Sequence, residues 1–77
     1  MNLKIDGNKI TFYLNKYIYP FEIVRKSAKS FKDIFDCNIK PENDKLEVNL
    51  IFYNDLDKIK IVYEFMNYML AKIKSGE

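Results

Sequence analysis

The chain has 77 residues, with 13 basic and 11 acidic side chains and a net charge of +2, too small by itself to indicate a nucleic-acid ligand. One cysteine and no histidine exclude an internal disulfide and remove the commonest metal ligand and general base. The hydrophobic fraction of 48% and the length together predict a single small folded domain over residues 1–77.

The first half of the chain predicts a strand followed by a helix. Asp6-Gly7-Asn8 is a turn signal, and the apolar residues after it alternate with polar ones, which predicts a strand over Lys9 to Tyr17. Pro20 suits the first turn of a helix, and apolar side chains then recur at helical spacing. These features predict a first helix over Pro20 to Phe35.

The second half predicts a hairpin followed by a helix. A short second strand around Cys37 to Lys40 ends at a turn formed by Pro41 to Asp44. A longer third strand over Leu46 to Tyr53 alternates inward apolar side chains with outward ones. The last helix is predicted over Asp55 to Ser75, with Asn54 or Asp55 as its N-cap.

This β-α-β-β-α order predicts an α+β domain, a three-stranded mixed sheet with both helices on one face. A right-handed crossover makes the first and second strands parallel, and the hairpin makes the third antiparallel to the second. The third strand is the longest, so we place it in the middle, in the order 1-3-2 of a ferredoxin-like fold that lacks its last strand. The first strand is then the more pairable edge, because the second ends at Pro41.

The last helix carries more apolar surface than a small core needs. Its main stripe consists of Ile59, Val62, Met66, Met69 and Ile73, widened on one flank by Tyr63 and Leu70. A second apolar line lies on the other flank, and we expect it to bind a protein partner, with coverage by the first helix as the alternative. The residues of this predicted partner surface are Ile61, Phe65 and Tyr68.

The outward face of the predicted sheet suggests an alternative function. Aromatic and polar side chains on an open sheet form a platform on which single-stranded nucleic acid can stack. Glu47 lies on the same face, and the basic residues of the first helix are predicted to lie on the opposite side, which weakens this interpretation. The residues of this predicted open-sheet face are Thr11, Tyr13, Ile51 and Tyr53.

The residue types present do not predict catalysis. Cys37 lies on the inward side of its predicted strand, and no histidine exists to activate it, so we expect a buried packing residue. Two glycines are too few for a phosphate-binding loop. We therefore expect no enzymatic activity, no cofactor and no metal. No run approaches the ~20 apolar residues of a membrane span, so we expect no membrane partner and a cytoplasmic location.

Four segments carry a family pattern. They are Tyr17 to Phe31, Cys37 to Ile39, Asp44 to Leu50, and Tyr63 to Leu70. Together they resemble the HxsD family, small proteins of the His-Xaa-Ser system, although Pro20 stands where that family more often has serine. The resemblance implies an accessory protein of a peptide-modification system built around radical SAM enzymes, with no catalytic residues of its own.

The expected function is therefore a non-enzymatic protein–protein interaction or accessory module. Its expected partner is a second copy in a homo-oligomer, a larger protein subunit or a client peptide. An incoming strand would add to the edge of the first strand, where Thr11 and Tyr13 would select its side chains. The alternative is a single-stranded nucleic-acid or RNA-associated domain that uses the open-sheet face.

Overall fold

A computed structural model describes residues 1–76 of the chain. Its elements are β1 (Lys4–Asp6), β2 (Lys9–Asn15), α1 (Phe21–Lys29), β3 (Phe35–Glu42), β4 (Lys45–Phe52) and α2 (Lys58–Lys74). The strands form one sheet in the order β1-β2-β4-β3, and all neighbouring strands are antiparallel. The predicted α+β class is confirmed. The sheet has four strands instead of three and is antiparallel instead of mixed. The three predicted strands keep their predicted order and directions within it, with β4 antiparallel to both β2 and β3.

The additional strand β1 arises because the turn signal near the start joins two strands. Asp6 pairs with Lys9, so Gly7 and Asn8 form a two-residue hairpin loop. The φ of Gly7 is 59° while that of Asn8 is not positive, the arrangement of a type II′ turn. β1 has only three residues, all exposed, so no alternation of buried and exposed side chains marks it in the sequence.

Between β2 and β3, the helix α1 is shorter than predicted and the strand β3 is longer than predicted. β2 ends at Asn15 instead of Tyr17, because the Asn15 carbonyl accepts hydrogen bonds from two backbone amides of the following turn. α1 ends at Lys29, and successive turns then carry the chain to Phe35. Phe35, predicted as the last residue of the helix, is the first residue of β3 and pairs with Phe52 of β4.

The start of α2 also differs from the prediction. The helix begins at Lys58, and its N-cap is Asp57. The Asp57 carboxylate accepts a hydrogen bond from the Lys60 amide at 3.3 Å, which satisfies one of the free amides of the first turn. Asp55, one of the two predicted caps, instead forms an ion pair with the Lys58 ammonium at 3.3 Å.

The core lies between the sheet and the two helices and is built around an aromatic cluster. The Phe35 ring lies 5.2 Å from the Phe65 ring and 5.4 Å from the rings of Phe31 and Phe52, measured between centroids. The three rings around Phe35 come from different parts of the chain: Phe65 from α2, Phe52 from β4 and Phe31 from the turn after α1. The largest fully buried apolar side chains are Phe12, Phe35, Phe65, Ile10, Leu46, Leu50, Met69, Val24, Val48 and Val62.

Ser27 lies fully buried in α1, and its hydroxyl has no hydrogen-bond partner within residues 1–76. A buried hydroxyl without a partner loses its hydration and gains nothing in return. We expect Ser27→Ala to raise the free energy of unfolding by about 1 kcal/mol. Urea denaturation measures this change. A clear loss of stability in Ser27→Ala would show that the hydroxyl is satisfied in solution.

Candidate functional site

The predicted partner surface on α2 is covered by the chain itself. Phe65 is 0% exposed, and its ring lies 5.2 Å from that of Phe31. Ile61 and Tyr68 are partly buried, and the Tyr68 hydroxyl lies 2.7 Å from the hydroxyl of Ser30. The premise of a free apolar flank was therefore wrong, because α1 and the turn after it pack on this side of the helix.

α2 is rotated about its axis relative to the predicted orientation. Ile59 and Tyr63 were placed on or beside the core-facing stripe, but they are 46% and 49% exposed. The side of the helix that enters the core is centred on Val62, Phe65 and Met69. The exposed apolar side chains of α2 thus lie away from the α1 contact.

The edges of the sheet also differ from those predicted. β1 pairs with the first part of β2, and Thr11 lies opposite Lys4. Strand addition was therefore a wrong prediction at Thr11, where β1 already occupies the edge, while Tyr13 lies beyond the residues of β2 that pair with β1. The outer strands of the described sheet are β1, with three residues, and β3, with eight.

β3 presents free backbone groups along its outer side. The Tyr53 amide donates to the Ile34 carbonyl at 3.2 Å, which fixes which residues face β4. Because N–H and C=O groups alternate in direction along an antiparallel strand, the backbone groups of Cys37 and Ile39 point away from β4. Pro41 lies at the next outward position and lacks an N–H. It interrupts this edge at one end only.

A groove lies between this edge and α1. Its volume is about 260 Å³. Its apolar and sulfur-containing lining residues are buried or half-buried, and most of its polar lining residues are exposed. The apolar and sulfur-containing residues are Ala28, Phe35, Cys37 and Ile39, and the others are Arg25, Lys29, Lys32, Asp36 and Tyr53.

Cations dominate the α1 side of this groove. The Arg25 guanidinium already binds the Glu22 carboxylate at 2.8 Å. Lys29 and Lys32 form no ion pair with any residue in the described part of the chain. Their charges are therefore available to an anionic ligand. The sequence analysis only placed the basic residues of the first helix opposite the open sheet face, although the spacing of Arg25, Lys29 and Lys32 predicts that they share one side of a helix.

Cys37 carries a half-buried thiol and lines the groove. Burial and the nearby Asp36 carboxylate raise its pKa to about 11, from an ordinary value of 9.0. Because the thiolate is the reactive form, we expect the native protein at neutral pH to react with a thiol reagent about 100-fold more slowly than the unfolded chain. Reaction with Ellman's reagent, with and without urea, measures the two rates. Equal rates would mean that Cys37 is an accessible nucleophile.

The open face of the sheet holds a polar network. The Thr11 hydroxyl donates to the Asn49 side-chain oxygen at 2.7 Å, and the Asn49 amide donates to the Glu47 carboxylate at 3.0 Å. Tyr13 donates to the same carboxylate at 3.1 Å. The hydrogen bonds from Asn49 and Tyr13 lower the pKa of Glu47, while the bond to Glu47 raises the pKa of Tyr13. The network stabilises a carboxylate at the centre of this face.

The predicted open-sheet residues do not form one continuous platform. Thr11, Tyr13 and Ile51 lie on the face opposite the helices, but Tyr53 lies one residue beyond β4. Tyr13 is opposite Glu47, so the two tyrosines are six positions apart along the chain of β4, or about 20 Å at ~3.4 Å per residue. Two adjacent stacked bases would not span that separation.

Comparison with known proteins returned no matching family model, no matching curated protein and no matching solved structure. Within residues 1–76, no cluster of three or more histidine, cysteine, aspartate or glutamate side chains is arranged to hold a metal ion. Neither described helix combines the length and apolar character needed to cross a membrane. The groove along β3 is the feature from which we infer a function.

Proposed function

We propose that this protein is a non-enzymatic interaction module that binds an extended segment of another protein along the outer edge of β3. The supporting observation is the free backbone at Cys37 and Ile39 beside an apolar groove. An incoming strand would pair with these backbone groups and direct alternate side chains into the groove. Backbone hydrogen bonds would supply affinity, and the groove would supply selectivity.

The β3 edge supports this role better than the β1 edge does. β1 is three residues long and therefore offers few backbone groups to an incoming strand. Charged side chains lie on the open face at both edges, Lys4 and Asp6 on β1 and Asp36 and Lys40 on β3, so they do not distinguish the edges. β3 offers eight residues, and its helix-facing side chains line a groove. A strand added to β3 would thus gain side-chain contacts as well as backbone pairing.

An accessory role agrees with the resemblance to the HxsD family. That resemblance implies a small protein without catalytic residues that acts beside a peptide-modifying enzyme. A groove for an extended segment suits either a client peptide or a chain segment of such an enzyme. The proposal is that this module holds a segment, while another protein performs any reaction on it.

Nucleic-acid binding has less support from the geometry. On the open face the cations of Lys4, Lys9 and Lys40 alternate with the carboxylates of Asp6 and Glu47, and the Lys40 ammonium lies 3.9 Å from the Glu47 carboxylate. Mixed charges of this kind offer phosphates no continuous row of cations. Tyr13 is held by its hydrogen bond to Glu47, and Tyr53 lies at the far end of the sheet. Arg25, Lys29 and Lys32 line the groove instead.

The test is a selection of peptides of about 12 residues from a random phage-displayed library against the whole protein, followed by affinity measurement on two variants. Ile39→Pro removes the outward N–H and adds a ring at the edge, and Pro41 shows that the same strand accepts proline at an outward position. Ile39→Ala is the matched control, because it removes the side chain but keeps the N–H. We expect selected peptides to bind Ile39→Pro at least about tenfold more weakly than Ile39→Ala.

Exchange of backbone amide hydrogens supplies an independent measurement that does not depend on a variant. A bound peptide strand should protect the Cys37 and Ile39 amides and leave the β1 amides unchanged. Absence of any binding peptide, equal affinity for the two Ile39 variants, or protection only outside β3 would each contradict the proposal. Circular dichroism and urea denaturation confirm that both variants are folded before affinities are compared.

A further inference from the structure

We infer that the segment accepted by the β3 groove is acidic, with an apolar residue between two carboxylates on the side that faces α1. This inference rests on the proposed function and adds the chemistry of the partner to it. Charge complementarity is the basis, since the groove is lined by Arg25, Lys29 and Lys32 on the helix side and by one carboxylate, Asp36. Of these cations Arg25 already binds Glu22, and Lys29 and Lys32 form no ion pair within the described part of the chain. An anion placed near Lys29 and Lys32 is favoured, whereas another cation there is not.

The positions of the charges indicate where the carboxylates belong in the bound segment. Arg25 and Lys29 lie one helical turn apart on α1, and Lys32 follows in the turn after it. In a strand, alternate residues point to the same face at a spacing of about 6.8 Å. The residues two positions before and two positions after the central apolar residue would point toward the same side as it does. Acidic side chains at these two positions would therefore lie near the cations that line the groove. Acidic residues at the intervening positions would point toward Asp36 and be disfavoured.

The central position calls for an apolar side chain. Ala28, Phe35, Cys37 and Ile39 line the groove, and the raised pKa of Cys37 keeps its thiol uncharged. A volume of about 260 Å³ lies below the ~300–1,000 Å³ typical of sites for whole small molecules. It suits one inserted aliphatic or aromatic side chain better than an independent ligand.

The same charges argue against a second copy of this chain as the occupant. Two β3 edges paired antiparallel about a twofold axis would place both α1 helices on the same face of the joined sheet. Lys29 and Lys32 of one protomer would then approach the same residues of its partner. Like charges at an interface oppose association, so the fitting partner is chemically different from this chain.

The experiment uses three synthetic peptides, blocked at both ends, that differ only at the two flanking positions. Their sequences are Thr-Glu-Thr-Leu-Thr-Glu-Thr, the same peptide with glutamine for glutamate, and the same with lysine. Affinities for the whole protein are measured by NMR titration at low and high salt. We expect the acidic peptide to bind at least about tenfold more tightly than the lysine peptide, and the difference to shrink with salt.

Two double variants separate local charge from overall charge. The groove variant, Lys29→Glu with Lys32→Glu, reverses the charge at two residues that line the groove. The α2 variant, Lys60→Glu with Lys74→Glu, makes the same change in net charge at exposed positions outside the groove lining. We expect the groove variant to reverse the order of the acidic and lysine peptides. The α2 variant should keep the original order, with at most about a twofold change in affinity.

The outcomes distinguish this inference from the proposed function. Equal binding of all three peptides, abolished by Ile39→Pro, would retain strand docking and overturn the acidic preference. Acidic-peptide binding that survives Ile39→Pro would show surface attraction without strand addition and would overturn both. An oligothymidylate that displaces the acidic peptide, binds more tightly and responds to the same lysine variants would assign the cations to nucleic acid and overturn the inference.

Discussion

Replacing Phe65 with alanine is expected to lower the free energy of unfolding by about 3 to 5 kcal/mol. The side chain is 0% exposed and contacts the rings of both Phe31 and Phe35, so its removal leaves a cavity at the junction of α2 with the aromatic cluster. For a domain of this length, total stability of about 4 to 12 kcal/mol is ordinary. Urea denaturation followed by circular dichroism should therefore find the variant near the limit of folding.

Tyr63 supplies the matched control for Phe65. It lies on the same helix but is 49% exposed, so Tyr63→Ala should cost about 0.5 kcal/mol. Phe65→Asp should unfold the chain, since it buries a charge without a partner. A Phe65→Asp protein that stays folded and loses only its self-association in sedimentation would restore the partner surface that the sequence suggested.

The orientation of α2 shows a limit of hydrophobic patterning. The helix has a main apolar stripe, which includes Ile59, Val62 and Met69, and a second apolar line through Ile61 and Phe65. Helical periodicity identifies both lines but contains no information about which neighbour each one meets. The choice depends on aromatic residues distant in sequence, because Phe31 and Phe35 pack edge-to-face against Phe65. The coarse class of the fold did not depend on this choice and was predicted correctly.

The β3 groove was missed for a related reason. Phe35 follows Phe31 at a spacing of four residues, which favours helix, but its pairing opposite Phe52 draws it into the sheet. Extending the helix to Phe35 shortened the predicted second strand, and Pro41 was taken as its end, whereas β3 runs from Phe35 to Glu42. The lysines of α1 were visible in the sequence, whereas their position over an outer strand follows from tertiary packing alone.

Asn49→Leu is expected to cost about 2 kcal/mol, although Asn49 lies on the open face of the sheet. The side chain is only 6% exposed and connects the Thr11 hydroxyl to the Glu47 carboxylate. Leucine has nearly the same shape but leaves the Thr11 hydroxyl without its acceptor. Thr11→Val alone should cost about 1 kcal/mol, because it removes the donor and leaves the Asn49 oxygen partly unsatisfied.

The double variant Thr11→Val with Asn49→Leu shows whether the two side chains of this hydrogen-bond network act as a unit. Replacing both partners should cost less than the two single changes added, with a coupling of at least about 0.5 kcal/mol.

The Glu47 pKa lies below its ordinary value of 4.5 because Asn49 and Tyr13 donate to the ionised carboxylate. A lowered pKa stabilises the fold above the unfolded pKa, and this stabilisation is lost as the pH falls through the folded pKa. The stability difference between wild type and Asn49→Leu should therefore become smaller as the pH is lowered from about 7 to about 2, as measured by urea titration at each pH. A difference that stays constant with pH, together with additive costs in the double variant, would mean that the hydrogen bond from Asn49 does not stabilise the ionised carboxylate.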